Sequence, residues 1–169
     1  MPIKMYDLAG AESDRRFSPF CWRTRFALAH KELDVETIPW RYGDKALLAF
    51  ANWERVPVIV DQGRSVVDSW AIASYLESAY PARPSLFEGP GGLGLARFYN
   101  AWADAVLNPA LTRFVMLDAY NHLAPADQPG DHPDALIELD HDRAVGHAVG
   151  ELRHHRLRGG SPGEELAAA

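Results

Sequence analysis

The segment Arg55-Val56-Pro57-Val58-Ile59-Val60-Asp61, followed by Val67-Asp68-Ser69-Trp70, constrains the fold more than any other part of this chain. Val58 to Val60 is a short apolar run with Pro57 before it and the polar turn Asp61-Gln62-Gly63-Arg64 after it. That pattern predicts a buried strand and a hairpin into a second strand, Ser65 to Val67. Pro57 cannot donate a ladder hydrogen bond and belongs at the strand's start, where a cis bond exposes the flanking backbone. Asp68 stands where a helix N-cap belongs, with Ile72 and Leu76 at helical spacing behind it. An open backbone edge and a helix N-terminus therefore fall close together, and the amides of a helix N-terminus suit a carboxylate.

The segments around this one complete a recognisable order. Ile3 to Leu8 is a strand candidate and Ala9 to Phe17 a polar loop. Ser18-Pro19 is a helix start, with the hydroxyl at the N-cap and proline at the first helical position. That helix runs to about Lys31. Leu33 to Pro39 reads as a strand and Gly43 to Phe50 as a short helix. The helix after Asp68 ends near Tyr80-Pro81, and the proline and glycine of residues 81–92 form a linker. Beyond it, Leu95, Phe98, Trp102, Val106, Ala110 and Phe114 predict a long amphipathic helix kinked at Pro109. The expected class is α/β: a thioredoxin-like βαβαββα domain over residues 1–82, with one parallel and one antiparallel strand pair. A linker over 83–92 and the start of an incomplete all-α domain over 93–120 follow.

Composition divides the chain near Tyr120. All five Trp, six Tyr and seven Phe lie at or before it, whereas six of the seven histidines lie after it. Aromatic side chains supply much of a core's buried area. Residues 121–169 are therefore expected to be a poorly ordered, non-functional tail such as a shifted reading frame produces. Net charge −6 argues against a nucleic-acid partner and against anionic membranes. With the single cysteine Cys21, no signal core and no membrane-length apolar run, the expected compartment is the cytoplasm.

Three groups of residues have chemical potential. Ser18 caps a helix and, beside free helix amides, is also placed to donate to a sulfur. Asp68-Ser69 caps a second helix and offers a carboxylate site. The tail histidines His132, His141, His147, His154 and His155 lack the spacing of a compact ligand set, so no metal is expected. Ser18-Pro19-Phe20-Cys21 also looks like a glutaredoxin active site, Cys-Pro-aromatic-Cys, with the attacking cysteine replaced by serine.

The residues from Met5 to about Tyr120 resemble the glutathione transferases, in particular the bacterial branch that includes the lignin β-aryl-etherases. The resemblance rests on Met5-Tyr6-Asp7-Leu8, Phe17-Ser18-Pro19-Phe20 with Trp22-Arg23-Thr24, and Phe26 to Lys31. It continues through Arg55 to Asp61, Asp68-Ser69-Trp70, Tyr75-Leu76, and Tyr80-Pro81 to Pro90. It implies glutathione as co-substrate, Ser18 as thiol activator, Val56 with Pro57 as the backbone clamp, and Asp68 with Ser69 as the γ-glutamyl site. It further implies an aromatic electrophile, aryl-ether cleavage in the etherase branch, and a homodimer. Two alternatives stand beside it: a truncated transferase that binds glutathione without turnover, and a thiol reductase using Cys21.

Overall fold

The computed structural model of the protein describes residues 1–128. Four strands and four α-helices appear in the order β1 (Ile3–Leu8), α1 (Pro19–His30), β2 (Val35–Trp40), β3 (Val58–Asp61), β4 (Arg64–Val67), α2 (Ser69–Ala79), α3 (Gly92–Trp102) and α4 (Asn108–Asn121). The sheet order is β2-β1-β3-β4. β1 and β2 run parallel, with Ile3 opposite Val35 and Leu8 opposite Trp40, while β1–β3 and β3–β4 are antiparallel. This is the expected thioredoxin-like arrangement.

β2 begins two residues later than the sequence pattern suggests. Glu32 turns the chain at φ 52 and the Leu33 amide closes on the Leu28 carbonyl, so the strand forms only from Val35. Pro39 is tolerated inside β2 because β2 is an edge strand, where a missing N–H breaks no second ladder. The short helix expected at Gly43 to Phe50 is a 3₁₀ turn, Lys45–Ala51, ended by Asn52 in the left-handed conformation at φ 49.

Met5, Leu28, Leu48, Val58, Ile59, Ile72 and Leu76 are fully buried and form the core with Trp40. Two buried polar clusters lock α1 and α2 in place. Lys31, wholly buried at the end of α1, lies 2.8 Å from Glu77 Oε2 on α2 and donates to the carbonyls of Tyr80 and Pro84. Asp61 accepts from the hydroxyls of Tyr75 and Tyr80 at 2.8 and 2.6 Å. The sequence gives Lys31 as an ordinary polar helix end; its burial is set by α2 and the segment that follows it.

The long helix expected after the linker is interrupted. α3 and α4 are joined by a π-helical turn, Ala103–Leu107, immediately before Pro109. Proline has no N–H for the carbonyl four residues back, and its ring crowds that carbonyl. A π-turn accommodates both effects by inserting one residue, which rotates the helix face downstream. Leu95, Phe98, Trp102, Val106 and Phe114, the apolar positions of the expected amphipathic helix, are all exposed.

Residues 121–128 correct the expected start of the tail. Leu123 is buried, the His122 carbonyl accepts from the Ala11 amide at 2.8 Å, and Asp127 Oδ1 accepts from the Gly43 amide at 2.9 Å. Gly10 permits this approach, since a Cβ there would fall 2.4 Å from the His122 carbonyl oxygen. Residues 129–169, including the remaining tail histidines, lie outside the described residues.

Candidate functional site

A cleft of about 320 Å³ separates the sheet domain from α4. Ser18, Val56, Pro57, Asp68 and Ser69, singled out in the sequence, all line it. They are brought together from three chain segments: the start of α1, the entry to β3 and the start of α2.

Each is positioned by local geometry. Ser18 is extended (φ −70, ψ 121), and its Oγ accepts from the Cys21 amide at 3.3 Å, with Pro19 opening the helix. The hydroxyl thus caps α1 while its residue forms part of the cleft wall. The Val56–Pro57 peptide is cis, and both residues precede the β3 ladder, which starts at Val58. Asp68 Oδ1 accepts from the amides of Trp70 and Ala71, both at 2.9 Å. Its backbone sits at φ 75, ψ 134, a region that costs a non-glycine residue on the order of 1–3 kcal/mol. The strain turns the chain so that Ser69, 6% exposed, opens α2 at the cleft.

The wall opposite Ser18 is apolar. Leu111, Val115 and Ala119 repeat at four-residue steps along α4, with Asn108, Thr112 and Met116 in a parallel row beside them. Tyr42, Trp53 and Phe17 extend the apolar lining, and among the described residues Arg55 is the one cation in it. Sequence reasoning passed over Arg55 although it adjoins Val56. The apolar repeat legible in the sequence runs through Ala110 and Phe114 on α4, whereas Leu111, Val115 and Ala119 line the cleft. α3 and the π-turn that leads into α4 are tied to α1 by Arg23, whose Nη2 lies 2.7 Å from Asp104 Oδ1 and whose Nη1 donates to Asn100 Oδ1.

Cys21, on the first turn of α1, is fully buried. Burial first, and the Asp7 carboxylate second, push its thiol up to about 12. A buried thiol shifted in that direction is a poor nucleophile at neutral pH, which argues against the thiol-reductase reading. Among the described residues no group of three His, Cys, Asp or Glu side chains could hold a metal ion, and no helix is long and apolar enough to cross a membrane.

A helix-capping serine, an X–Pro turn and an Asp-Ser helix start thus border one cleft on a thioredoxin-like sheet. Residues 13–84 match the family model for the glutathione S-transferase N-terminal domain. Among curated proteins, a probable glutathione S-transferase of Oryza sativa subsp. japonica is 34% identical over 101 residues, covering 55% of this chain and 43% of that protein. A probable glutathione S-transferase of Nicotiana tabacum is 29% identical over 91 residues, covering 52% of this chain and 41% of that protein. Among solved structures, glutathione transferase GSTFuA3 from Phanerochaete chrysosporium aligns with a TM-score of 0.68 at 28% identity, covering 86% of this chain and 62% of that one. A glutathione S-transferase of Ceriporiopsis subvermispora, solved in complex with glutathione, aligns with a TM-score of 0.63 at 25% identity, covering 88% and 72%. Residues 13–84 of this chain are thus similar to the N-terminal domain of the glutathione S-transferases. The chain spans less than half the length of the curated relatives it matches.

Proposed function

We propose that the cleft binds glutathione and directs its thiolate at an electrophilic carbon. Residues 1–82 form the glutathione-binding domain, 83–92 the linker and 93–120 the start of the helical one. Ser69, at the positive end of α2 beside the Asp68 cap, takes the γ-glutamyl carboxylate, since a helix N-terminus favours an anion. Val56, held beside Pro57, pairs its backbone with the cysteinyl unit, and Arg55 adds positive charge for a tripeptide that carries two carboxylates.

Ser18 acts on the sulfur. A free thiol with pKa ~8.5 is only a few per cent thiolate at neutral pH. A hydroxyl donor and the α1 N-terminus together lower that by about 2 units, a differential stabilisation of about 2.7 kcal/mol. The thiolate then attacks the carbon of an apolar, aromatic electrophile lying against Leu111, Val115 and Met116. The S–C bond forms as the bond to the leaving group breaks, and the leaving group departs with the electron pair. For an aryl ether, the narrower reading, that group is a phenoxide, which takes a proton from water.

The observation that carries this proposal is that Ser18, Val56 and Ser69, from three separate segments, border one cleft. Titrating the ultraviolet absorbance of bound glutathione thiolate against pH tests it. Ser18→Ala should raise the apparent thiol pKa by 1 unit or more (about tenfold) with binding retained; an unchanged pKa refutes the role of Ser18. A second reading, binding without turnover, is favoured by the exposure of Phe98, Trp102 and Phe114 on the helical segment. An electrophile site that is not closed neither orients its substrate nor excludes water. Saturable glutathione binding with no conjugation of an activated aryl halide or a β-aryl ether would select it.

A further inference from the structure

Among the described residues, three buried side-chain oxygens have no hydrogen-bond partner: both carboxylate oxygens of Asp7 and Thr24 Oγ1. A buried carboxylate without hydrogen bonds is one of the costlier groups a core can hold. Asp7 is fully buried near the end of β1, where the chain leaves the sheet for the loop that leads to Ser18.

Charged and titratable groups face Asp7 from two sides. From the loop, Arg16 Nη1 lies 3.8 Å from Oδ2 and donates to the Asp7 backbone carbonyl at 3.0 Å, with Arg41 the nearest further cation to Arg16. From α1, Arg25 Nε lies 3.4 Å from Oδ2, and the Cys21 thiol turns toward the carboxyl group. β2 contributes only Pro39 opposite Asp7. The same thiol also faces the Leu8 backbone amide and the Ser18 hydroxyl, and the Cys21 amide donates to Ser18 Oγ. Cys21 therefore stands between the carboxyl group and the residue at the cleft.

We propose that Asp7 is a positioning residue of the thiol site, acting on Ser18 through Cys21, and that its carboxylate and a thiolate held at Ser18 oppose each other's ionisation. This rests on the reading that glutathione binds with its sulfur at Ser18. Two negative charges sharing a water-poor interior titrate as a pair, and the group more easily neutralised takes up a proton as the other loses one. Burial, the leading influence on Asp7, already raises its pKa, which makes it the partner that yields. When the bound thiol ionises, its proton passes to solvent, and the Asp7 midpoint rises so that near that midpoint Asp7 binds a fraction of a proton from solvent. Arg16 and Arg25 moderate the repulsion without removing it. Reciprocity then requires the thiolate to raise the Asp7 pKa by the amount the carboxylate raises that of the thiol.

The test is a carbon-13 carboxyl titration of Asp7 by NMR in the unmodified full chain, once with saturating glutathione and once with S-methylglutathione, which has no ionisable thiol. The Asp7 midpoint should be higher with glutathione by at least about half a pH unit. Asp7→Asn should lower the pKa of the bound thiol by a matching amount, a readout that a purely structural role for Asp7 would not move. Equal midpoints with both ligands bound overturn the coupling and leave the glutathione site standing. Failure of both ligands to bind removes the site, and the coupling with it.

Discussion

Replacing Glu77 with Gln removes the negative partner of a buried ammonium and leaves the backbone contacts in place. In the native protein Glu77 accepts from the Leu86 amide at 2.9 Å, from Ser85 Oγ, and from Lys31 Nζ. Burial alone would raise its pKa; the hydrogen bonds from Leu86, Lys31 and Ser85 and the charge of Lys31 overcome that and lower it from 4.5 to about 2. A depression of that size corresponds to about 3 kcal/mol of stability. The Glu77 side chain is 28% exposed, little enough for most of that to be realised. Because the folded pKa is depressed, the contribution is present above about pH 4.5 and is lost as pH falls toward 2. Urea denaturation should therefore find Glu77→Gln about 3 kcal/mol less stable than wild type at pH 7, as expected for breaking a buried pair. The gap should narrow by about 1.4 kcal/mol at pH 3.5, where protonation has begun to cost the wild type but cannot affect the variant. A gap below about 1 kcal/mol at pH 7, or one that does not change with pH, would refute the reasoning.

Further outcomes follow from the core and the caps. Cys21, its thiol pushed up to about 12 by burial and Asp7, should resist an aromatic disulfide reagent in the folded protein at pH 8 and react on unfolding; rapid labelling of folded protein contradicts its placement. Leu76→Ala, at a fully buried position, should cost 2–5 kcal/mol, roughly the range for such cavities, in chemical denaturation. Asp68→Ala loses two capping hydrogen bonds and should destabilise by about 1 kcal/mol. Asp68→Gly should lose less, because glycine relieves the strain at φ 75; the reverse order would show that the strain is not there.

Legibility in the sequence followed the range of the interactions involved. The β3–β4 hairpin, the Ser18-Pro19 start of α1 and the Asp68 cap depend on a few neighbouring residues, and their residue types encode them. The site residues drawn from those elements were legible for the same reason, although nothing local indicates that they border one cleft. Asp7 was not legible as a buried group. In an alternating strand an acid reads as facing solvent, and here Arg16, Arg25 and Cys21 cover it from segments further along the chain. Lys31 misleads similarly, since Glu77 and the carbonyls of Tyr80 and Pro84 enclose it from 46 to 53 residues away. The π-turn at Ala103–Leu107 was not legible, because a constant helical period cannot register an inserted residue. Residues 121–128 lack aromatics and so read as tail, yet hydrogen bonds to Ala11 and Gly43 place them.

The central claim is that the cleft between the sheet domain and α4 holds glutathione by its γ-glutamyl end at Ser69. Calorimetric titration of glutathione into the wild-type protein and into Ser69→Ala tests it most directly. The account predicts one saturable site whose affinity falls about tenfold or more in the variant, the loss expected when a hydrogen bond to a charged group is removed. Folded wild-type protein that takes up no glutathione, or a Ser69→Ala variant that binds it equally well, would contradict the account.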